Sequence, residues 1–429
     1  MCLQRRSVLA ALLVWLALAF VPADGVAGER RVRGSVLAVF DDGSFQLEDG
    51  LVVRVSEQTA ISRPLLIGQP VEVTGGMSGE EELTARRVEA RAIASEEVRG
   101  EAVLEDTRPD PRGLLLLADG RRLLVTDRTR RASGDEFAPG NYIAYRGEWT
   151  EGGEVELAEI SVTPNRLEDR ERAMHEAYRP EIQFHAGNSD QPAALRIGEN
   201  RYALVSDRPV QLYFDELGSR LAPELWRGPE AAQRFGVNLW LVLATHSTAQ
   251  ATAFPGGVVV VHTGLLQWAE NEAQLAFVIA HELAHALQEH AWRESAYHRK
   301  KLRALRWSTA GIGYVVESAI RRGYQRELES QADRLALWYL AQAGFDPREG
   351  VRMMQRLESR QEGLSALLWE KHRTFPQRRR AAMEELFRFS QQGLAYSSLQ
   401  RNSGEFMALR ARVPTAGVKE AREPARPRR

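Results

Sequence analysis

The sequence predicts an α+β protein in which two tandem small β-barrels precede an α-rich domain. Residues 29–163 consist of short alternating apolar runs separated by Asp-Gly and Gly-Gly turns, a pattern typical of strands. From about residue 166 the apolar residues recur with helical spacing instead. The charge changes at the same place, because residues 29–163 hold 17 basic and 26 acidic side chains, a net charge of −9, whereas residues 164–429 carry +7.

Composition excludes several classes of protein. The 429 residues are 44% hydrophobic and 27% charged, which excludes a collagen-like, low-complexity or wholly disordered chain. The formal net charge of −1 gives no overall electrostatic footprint for nucleic acid. Because Cys2 is the only cysteine, a disulfide framework, a cysteine-ligated zinc site and a cysteine nucleophile are excluded from the mature chain.

Residues 1–28 have the pattern of a secretory signal peptide. Arg5 and Arg6 precede an apolar run of 15 residues, 7–21, and the small residues 26–28 follow it. A membrane anchor is the alternative, but 15 residues are short for a membrane span. We therefore expect a protein of the periplasm or another extracytoplasmic space, soluble after signal-peptide cleavage and without a transmembrane span in its mature form.

The strand-rich region contains an internal repeat with an offset of 66 to 72 residues. The copies match Val32-Arg33-Gly34 with Val98-Arg99-Gly100, Asp49-Gly50 with Asp119-Gly120, Thr59 with Thr129, and Gly75 with Gly147. About five short strands in each copy predict a small closed barrel of the OB type. We assign copy 1 to residues 29–95 and copy 2 to residues 96–165.

The OB-like pair lacks the features of a nucleic-acid-binding surface. Such barrels use a basic groove with stacking aromatic side chains, whereas this region is acidic and its first copy offers only Phe40 and Phe45. We therefore expect no nucleic-acid partner. A docking or substrate-presenting module, with an envelope partner for residues 29–163, is favoured over an oligosaccharide- or peptidoglycan-binding module.

The α-rich domain is expected to span residues 166–395. Leu212, Tyr213, Leu217 and Leu221 predict the apolar face of a helix over 210–225. Further predicted elements are strands over 239–244 and 257–261 and helices over 271–306, 326–343, 347–361 and 377–388. Residues 396–429 are predicted to be a largely disordered C-terminal tail, since the chain from 411 has little apolar content.

The motif that carries chemistry is HExxH at residues 281–285. The i, i+4 spacing places His281 and His285 on one helix face, where two imidazoles can share a metal ion, and Glu282 lies beside them. Apolar residues on both sides predict a buried helix, in which polar side chains need partners. We therefore expect one zinc ion per chain.

A hydrolytic zinc site needs a third protein ligand and an open position. The best candidate is Glu329, four residues before Asp333 on a predicted helix. Asp333 would then accept a hydrogen bond from the second ring nitrogen of a ligand histidine and fix its tautomer. Glu327 is the competing ligand, and because it lies about 200° around the helix from Glu329, only one of the two can face the metal.

Four motifs in this order resemble the HtpX/CaaX-endopeptidase family of zinc metallopeptidases, gluzincins with HExxH and ExxAD motifs, and most closely its soluble periplasmic BepA-like branch. The motifs are Pro255-Gly256-Gly257 followed by a strand and Thr263-Gly264-Leu265-Leu266, HExxH at 281–285, ExxAD at 329–333, and Ala343-Gly344-Phe345-Asp346-Pro347. The resemblance implies an α-rich zincin-type metallopeptidase domain that acts on protein or peptide substrates in envelope protein quality control. It also implies that an extended substrate pairs with the strand of Gly256, Gly257, Val258 and Val259.

The predicted function is that of an exported zinc-dependent endopeptidase. Zinc held by His281, His285 and Glu329 would activate a water molecule, and Glu282 would act as general base. The alternative is a chaperone-like assembly or binding factor whose metal site is largely latent. The intact Glu282 argues against that alternative, because a scaffold has no need of a general base.

Overall fold

A computed structural model of the chain describes twelve stretches. These are residues 29–91, 97–106, 113–117, 120–131, 137–139, 141–163, 181–187, 192–227, 239–288, 290, 313–359 and 375–413. Residues 1–28, the expected signal peptide, lie outside them. Two units can be distinguished: one contains residues 29–65 and 70–91, and the other contains residues 66–69 and the described residues from 97 onwards.

The first sheet has six strands. They are β1 (Arg30–Val39), β2 (Phe45–Leu47), β3 (Val52–Arg54), β4 (Ala60–Ile61), β5 (Pro70–Met77) and β6 (Glu82–Ala90). β1, β2 and β3 form an antiparallel meander, β5 pairs with β1, and β6 pairs antiparallel with β5. The sheet closes because β3 also pairs in parallel with β6. The result is a closed five-strand barrel with β4 as a short extra strand beside β6.

The second sheet repeats this topology within the other unit. Its strands are β7 (Glu97–Asp106), β8 (Leu114–Leu117), β9 (Arg122–Leu124), β10 (Arg130–Arg131), β11 (Tyr142–Trp149) and β12 (Val155–Thr163). Closure again comes from a parallel pair, here β9 with β12. The barrel interior is apolar, with Leu104, Leu117, Leu123, Ile143 and Val155 fully buried. The prediction of a β-rich region before a helical domain is confirmed, and the assignment of its barrels to the OB type stays a prediction.

Residues that recur in the repeat occupy equivalent positions. Thr59 donates its hydroxyl proton to Ala85 O at 2.8 Å, and Thr129 donates to Leu157 O at the same distance. Gly75 and Gly147 each lie at a shift in strand register, where a Cβ atom would overlap a carbonyl oxygen of the neighbouring strand. The residues that recur in the repeat are therefore those that bend the strands at the glycines and hold each barrel together through the threonine hydrogen bonds.

Two three-stranded sheets begin the α-rich part. The first contains β13 (Ile182–His185), β14 (Ala194–Ile197) and β15 (Asn200–Ala203), and the second contains β16 (Trp240–Ala244), β17 (Ala251–Phe254) and β18 (Val258–His262). In the second sheet β18 is central, parallel to β16 and antiparallel to β17. A bridge between Leu204 and Ala244 joins the two sheets over a common apolar core.

Seven α-helices are described. They are α1 (Arg208–Leu221), α2 (Thr263–Trp268), α3 (Glu272–Leu287), α4 (Gly313–Gln342), α5 (Arg348–Ser359), α6 (Phe375–Gln391) and α7 (Gly404–Arg412). α3 packs against α4, α5 and the second three-stranded sheet. Among the residues that the structure describes, no helix combines the length and hydrophobicity needed to cross a bilayer.

Two expectations about this part of the chain need correction. Leu212 is 55% exposed, because the buried face of α1 runs through Val210, Tyr213 and Leu217 and lies about 100° away from it. Residues 404–412, expected to belong to a largely disordered tail, form α7. Ser403 caps this helix by accepting the N–H of Phe406, whose ring is fully buried. Residues 414–429 lie outside the described part.

Candidate metal centre

Helix α3 places the HExxH motif in the interior. The Asn271 side chain caps its first turn by accepting the N–H of Gln274 at 2.9 Å. Most of the helix is buried, including Ala276, Ile279 and Ala280 just before the motif. The polar side chains of the HExxH motif therefore need hydrogen-bond or metal partners inside the protein.

The structure brings His281 and His285 together with Glu329 of α4. Their Nε2 atoms lie 3.1 Å apart. Glu329 Oε2 lies 3.5 Å from His281 Nε2, and Glu329 Oε1 lies 3.7 Å from His285 Nε2. Of the described residues, these three form the one group of His, Cys, Asp or Glu side chains with the convergence needed to hold a metal ion. The side chain of the competing Glu327 lies outside the described part.

The donor set and its spacing fit zinc. Two imidazole nitrogens and a carboxylate are a ligand set of catalytic zinc sites. Ligand atoms about 2.0–2.1 Å from a tetrahedral zinc ion lie about 3.3–3.4 Å from one another. The observed separations of 3.1, 3.5 and 3.7 Å bracket that value. Three protein ligands would leave the fourth position open.

Asp333 lies behind His281, on the side away from Glu329 Oε2 and His285 Nε2. Its Oδ1 lies 2.9 Å from His281 Nδ1, and this ion-pair contact leaves Nε2 for a metal. Burial alone would lower the pKa of His281, but its hydrogen bonds to Asp333 and Glu329 and the negative charges of these two residues raise the pKa to about 9. The same negative surroundings favour a divalent cation.

A buried arginine completes the site, and the sequence did not predict it. Arg378 of α6 donates to Asp333 through Nε at 2.5 Å and Nη2 at 2.7 Å, and its Nη1 lies 3.4 Å from Glu329 Oε2. Burial raises the pKa of Asp333, but the charge and hydrogen bonds of Arg378, with those of His281, hold it below its ordinary value. The only feature of the sequence that points to Arg378 is its place in the first turn of a helix that begins near Pro376.

Glu282 is held by the neighbouring sheet. Its Oε2 accepts the backbone N–H of Ala253 in β17 at 2.8 Å. In an antiparallel pair, alternate residues direct their main-chain groups to opposite sides, and Ala253 therefore directs its N–H away from β18. Among the described strands, β17 pairs only with β18 and forms an edge of its sheet.

This arrangement corrects the expected substrate-binding strand. Val258 and Val259 lie in the central strand β18, whose two sides are already paired with β16 and β17, and they are 3% and 0% exposed. Gly256 and Gly257, with φ of 97° and 99°, form the turn between β17 and β18. No peptide can add to a strand that has neighbours on both sides, and the edge beside Glu282 belongs to β17.

Comparison with known proteins agrees with this geometry. Residues 228–388 match the model of peptidase family M48. The chain therefore carries an M48 peptidase domain. The resemblance predicted from the four sequence motifs is confirmed.

Relatives of the M48 domain include two kinds of peptidase. The β-barrel assembly-enhancing protease of Escherichia coli K12 is 28% identical over 171 residues, which cover 36% of this chain and 34% of that protein. The mitochondrial metalloendopeptidase OMA1 of Bos taurus is 33% identical over 137 residues, which cover 28% of this chain and 26% of that protein. The chain thus spans about a third or less of the length of these relatives.

Proposed function

We propose that the chain is a zinc-dependent endopeptidase that hydrolyses peptide bonds in protein substrates. The convergence of His281, His285 and Glu329, with Glu282 on the same helix turn, carries this proposal. The M48 match and the relatives, a protease and a metalloendopeptidase, support it.

The residues divide the work of hydrolysis between them. A zinc ion held by the three ligands would polarise the scissile carbonyl and lower the pKa of a water molecule to about 7. Glu282 takes the proton from that water and passes it to the leaving amine. The hydrogen bond from Ala253 N–H fixes the orientation of the Glu282 carboxylate for this transfer. Asp333 and Arg378 hold His281 with its Nε2 toward the metal position.

The substrate is proposed to bind along β17. A peptide that adds to this edge would meet the outward carbonyl of Ala253, whose N–H already holds Glu282, and would run past that carboxylate. Strand addition supplies affinity through main-chain hydrogen bonds and makes few demands on sequence. Such binding suits a peptidase that acts on many unfolded segments.

Export and a role in envelope protein quality control are further parts of the proposal. The pattern of residues 1–28 supports export to the periplasm or another extracytoplasmic space. The name of the bacterial relatives, β-barrel assembly-enhancing protease, supports substrates among misfolded or misassembled envelope proteins.

The two barrels are proposed to be OB-like domains at residues 29–95 and 96–165, followed by the peptidase domain at 166–395. Closure by parallel pairing, of β3 with β6 and of β9 with β12, supports this assignment. The acidic composition of residues 29–163 favours a protein partner in the envelope over nucleic acid.

The proposal is tested by metal analysis and casein cleavage with purified residues 29–429. We expect one zinc per chain in the wild type and in Glu282→Gln, with cleavage about 10²–10⁴-fold slower in the variant. The exposed Glu216→Gln is the matched control and should cleave normally. A wild type without zinc contradicts the ligand set. Bound zinc without cleavage by either protein would favour the chaperone-like alternative.

A further inference from the structure

A second histidine lies behind His285. His290 is 2% exposed, and its Nδ1 lies 2.9 Å from His285 Nδ1. Its other ring nitrogen, Nε2, lies 3.2 Å from Oε1 of Gln331 on α4. Gln331 lies between Glu329 and Asp333 in the chain, so the contact connects His285 to the helix that carries the third ligand.

The protons along this connection can be assigned from the donors and acceptors. A carbonyl oxygen only accepts, so Gln331 Oε1 takes the N–H of His290 Nε2. A neutral imidazole carries one N–H, which makes His290 Nδ1 an acceptor. The proton between the two rings therefore belongs to His285 Nδ1. His285 Nε2, the atom that faces His281 Nε2 and Glu329, is left with a lone pair.

We propose that His290 and Gln331 are positioning residues that hold His285 as the Nδ1–H tautomer, with Nε2 directed at zinc; this inference rests on the proposed function. The pair does for His285 what Asp333 does for His281. The difference lies in the charge of the acceptor. The Asp333 carboxylate is balanced by the buried Arg378, whereas a neutral imidazole orients His285 without adding another buried charge.

Two substitutions at His290 separate hydrogen bonding from packing. Asn places its Oδ1 near the position of the His Nδ1, so His290→Asn can still accept from His285. Phe keeps the ring but has no acceptor, so His290→Phe loses the bond and keeps most of the volume. Zinc affinity is measured for residues 29–429 by competition with a chromophoric chelator.

We expect His290→Phe to bind zinc about 10–100-fold more weakly, the loss typical of residues that support a ligand histidine. His290→Asn should stay within about threefold of the wild type, and so should His185→Phe at an exposed histidine. Wild-type affinity in His290→Phe, or equal losses in the Phe and Asn variants, would overturn the inference.

Two further measurements keep the test decisive if His290→Phe folds poorly, as judged by circular dichroism without metal. Gln331→Met removes the far acceptor and should also weaken zinc binding. Long-range ¹H–¹⁵N spectra of the metal-free wild type should show the Nδ1–H tautomer for His285, and the Nε2–H tautomer would refute the assignment. A wild type that binds no zinc contradicts the proposed function, whereas normal binding and cleavage with an unaffected His290→Phe contradicts only the role of His290.

Discussion

Replacing Arg378 by Met should be among the most damaging single changes in the M48 domain. Arg378 and Asp333 are 5% and 3% exposed, and two short hydrogen bonds join them. The same guanidinium lies 3.4 Å from a carboxylate oxygen of Glu329. Met fills a similar volume without charge, so the substitution removes the guanidinium from the buried carboxylate of Asp333 and from the half-buried carboxylate of Glu329.

The expected cost follows from that burial. Removing one partner of a buried ion pair typically destabilises a protein by about 3–5 kcal/mol. For a domain of 150–250 residues, each kcal/mol lowers the melting temperature by about 2–4 °C, so we expect a decrease of about 6–20 °C for Arg378→Met. Zinc adds positive charge beside Glu329, and the loss of stability in Arg378→Met should therefore be larger in the metal-free protein.

Thermal and urea unfolding of residues 29–429, with and without zinc, measures this effect. Arg380→Met is the matched control, since Arg380 is an exposed residue of the same helix. Arg378→Lys keeps the charge but loses the planar fork and should fall between the two. Equal stability of Arg378→Met and Arg380→Met would refute the reasoning.

Two further predictions concern a turn and a histidine. Gly120 and its repeat counterpart Gly50 both have positive φ, 80° and 98°, but only a Cβ on Gly120 would overlap the Trp338 ring. Gly120→Ala should therefore lower the free energy of unfolding by about 1–3 kcal/mol more than Gly50→Ala, and equal losses in urea unfolding would contradict this packing. Burial, with a smaller effect of the nearby His246 charge, lowers the pKa of His262 to about 4 from 6.5. Between these pH values only the unfolded state binds the proton, so the stability contributed by His262 is present above pH 6.5 and decreases as the pH falls. His262→Gln should gain about 2 kcal/mol relative to the wild type between pH 7 and pH 5, and parallel pH profiles of urea unfolding would exclude this effect.

Sequence alone predicted the two histidines and two carboxylates because they lie in local patterns. HExxH places His281 and His285 on one face by helix geometry. Glu329 and Asp333 repeat that spacing on a second helix, so one assumption about how the helices pack places all four side chains together. Arg378 could not be predicted in the same way. It is the first of three consecutive arginines, and only the packing of α6 decides which of them is buried.

The order of the strands in the second three-stranded sheet could not be predicted from local sequence patterns either. The resemblance implies that the strand of Gly256, Gly257, Val258 and Val259 offers an edge to the substrate. The run from Val258 to Val261 is nevertheless apolar at every position, which is typical of a strand with neighbours on both sides. The edge strand β17 reads Ala-Thr-Ala-Phe and carries no such signal. Its place beside the metal centre is shown by one long-range hydrogen bond, from Ala253 to Glu282, which short-range sequence periodicity cannot predict.

Two helices, α4 and α6, each contact the second barrel and also carry side chains of the metal centre. The second barrel and the metal centre are therefore packed on the same elements. α6 holds Arg378 beside the zinc ligands, and ten residues later Arg388 lies over the Trp149 ring of β11, 4.0 Å from its centroid. α4 carries Glu329 and, nine residues later, Trp338, which packs between Gly120 and Phe389.

Each of these two helices therefore packs against the second barrel at one position and supports the metal centre at another. A freely detachable recognition module would not bury a tryptophan against the helix that carries a zinc ligand. The second barrel is thus part of the packing that supports the M48 site.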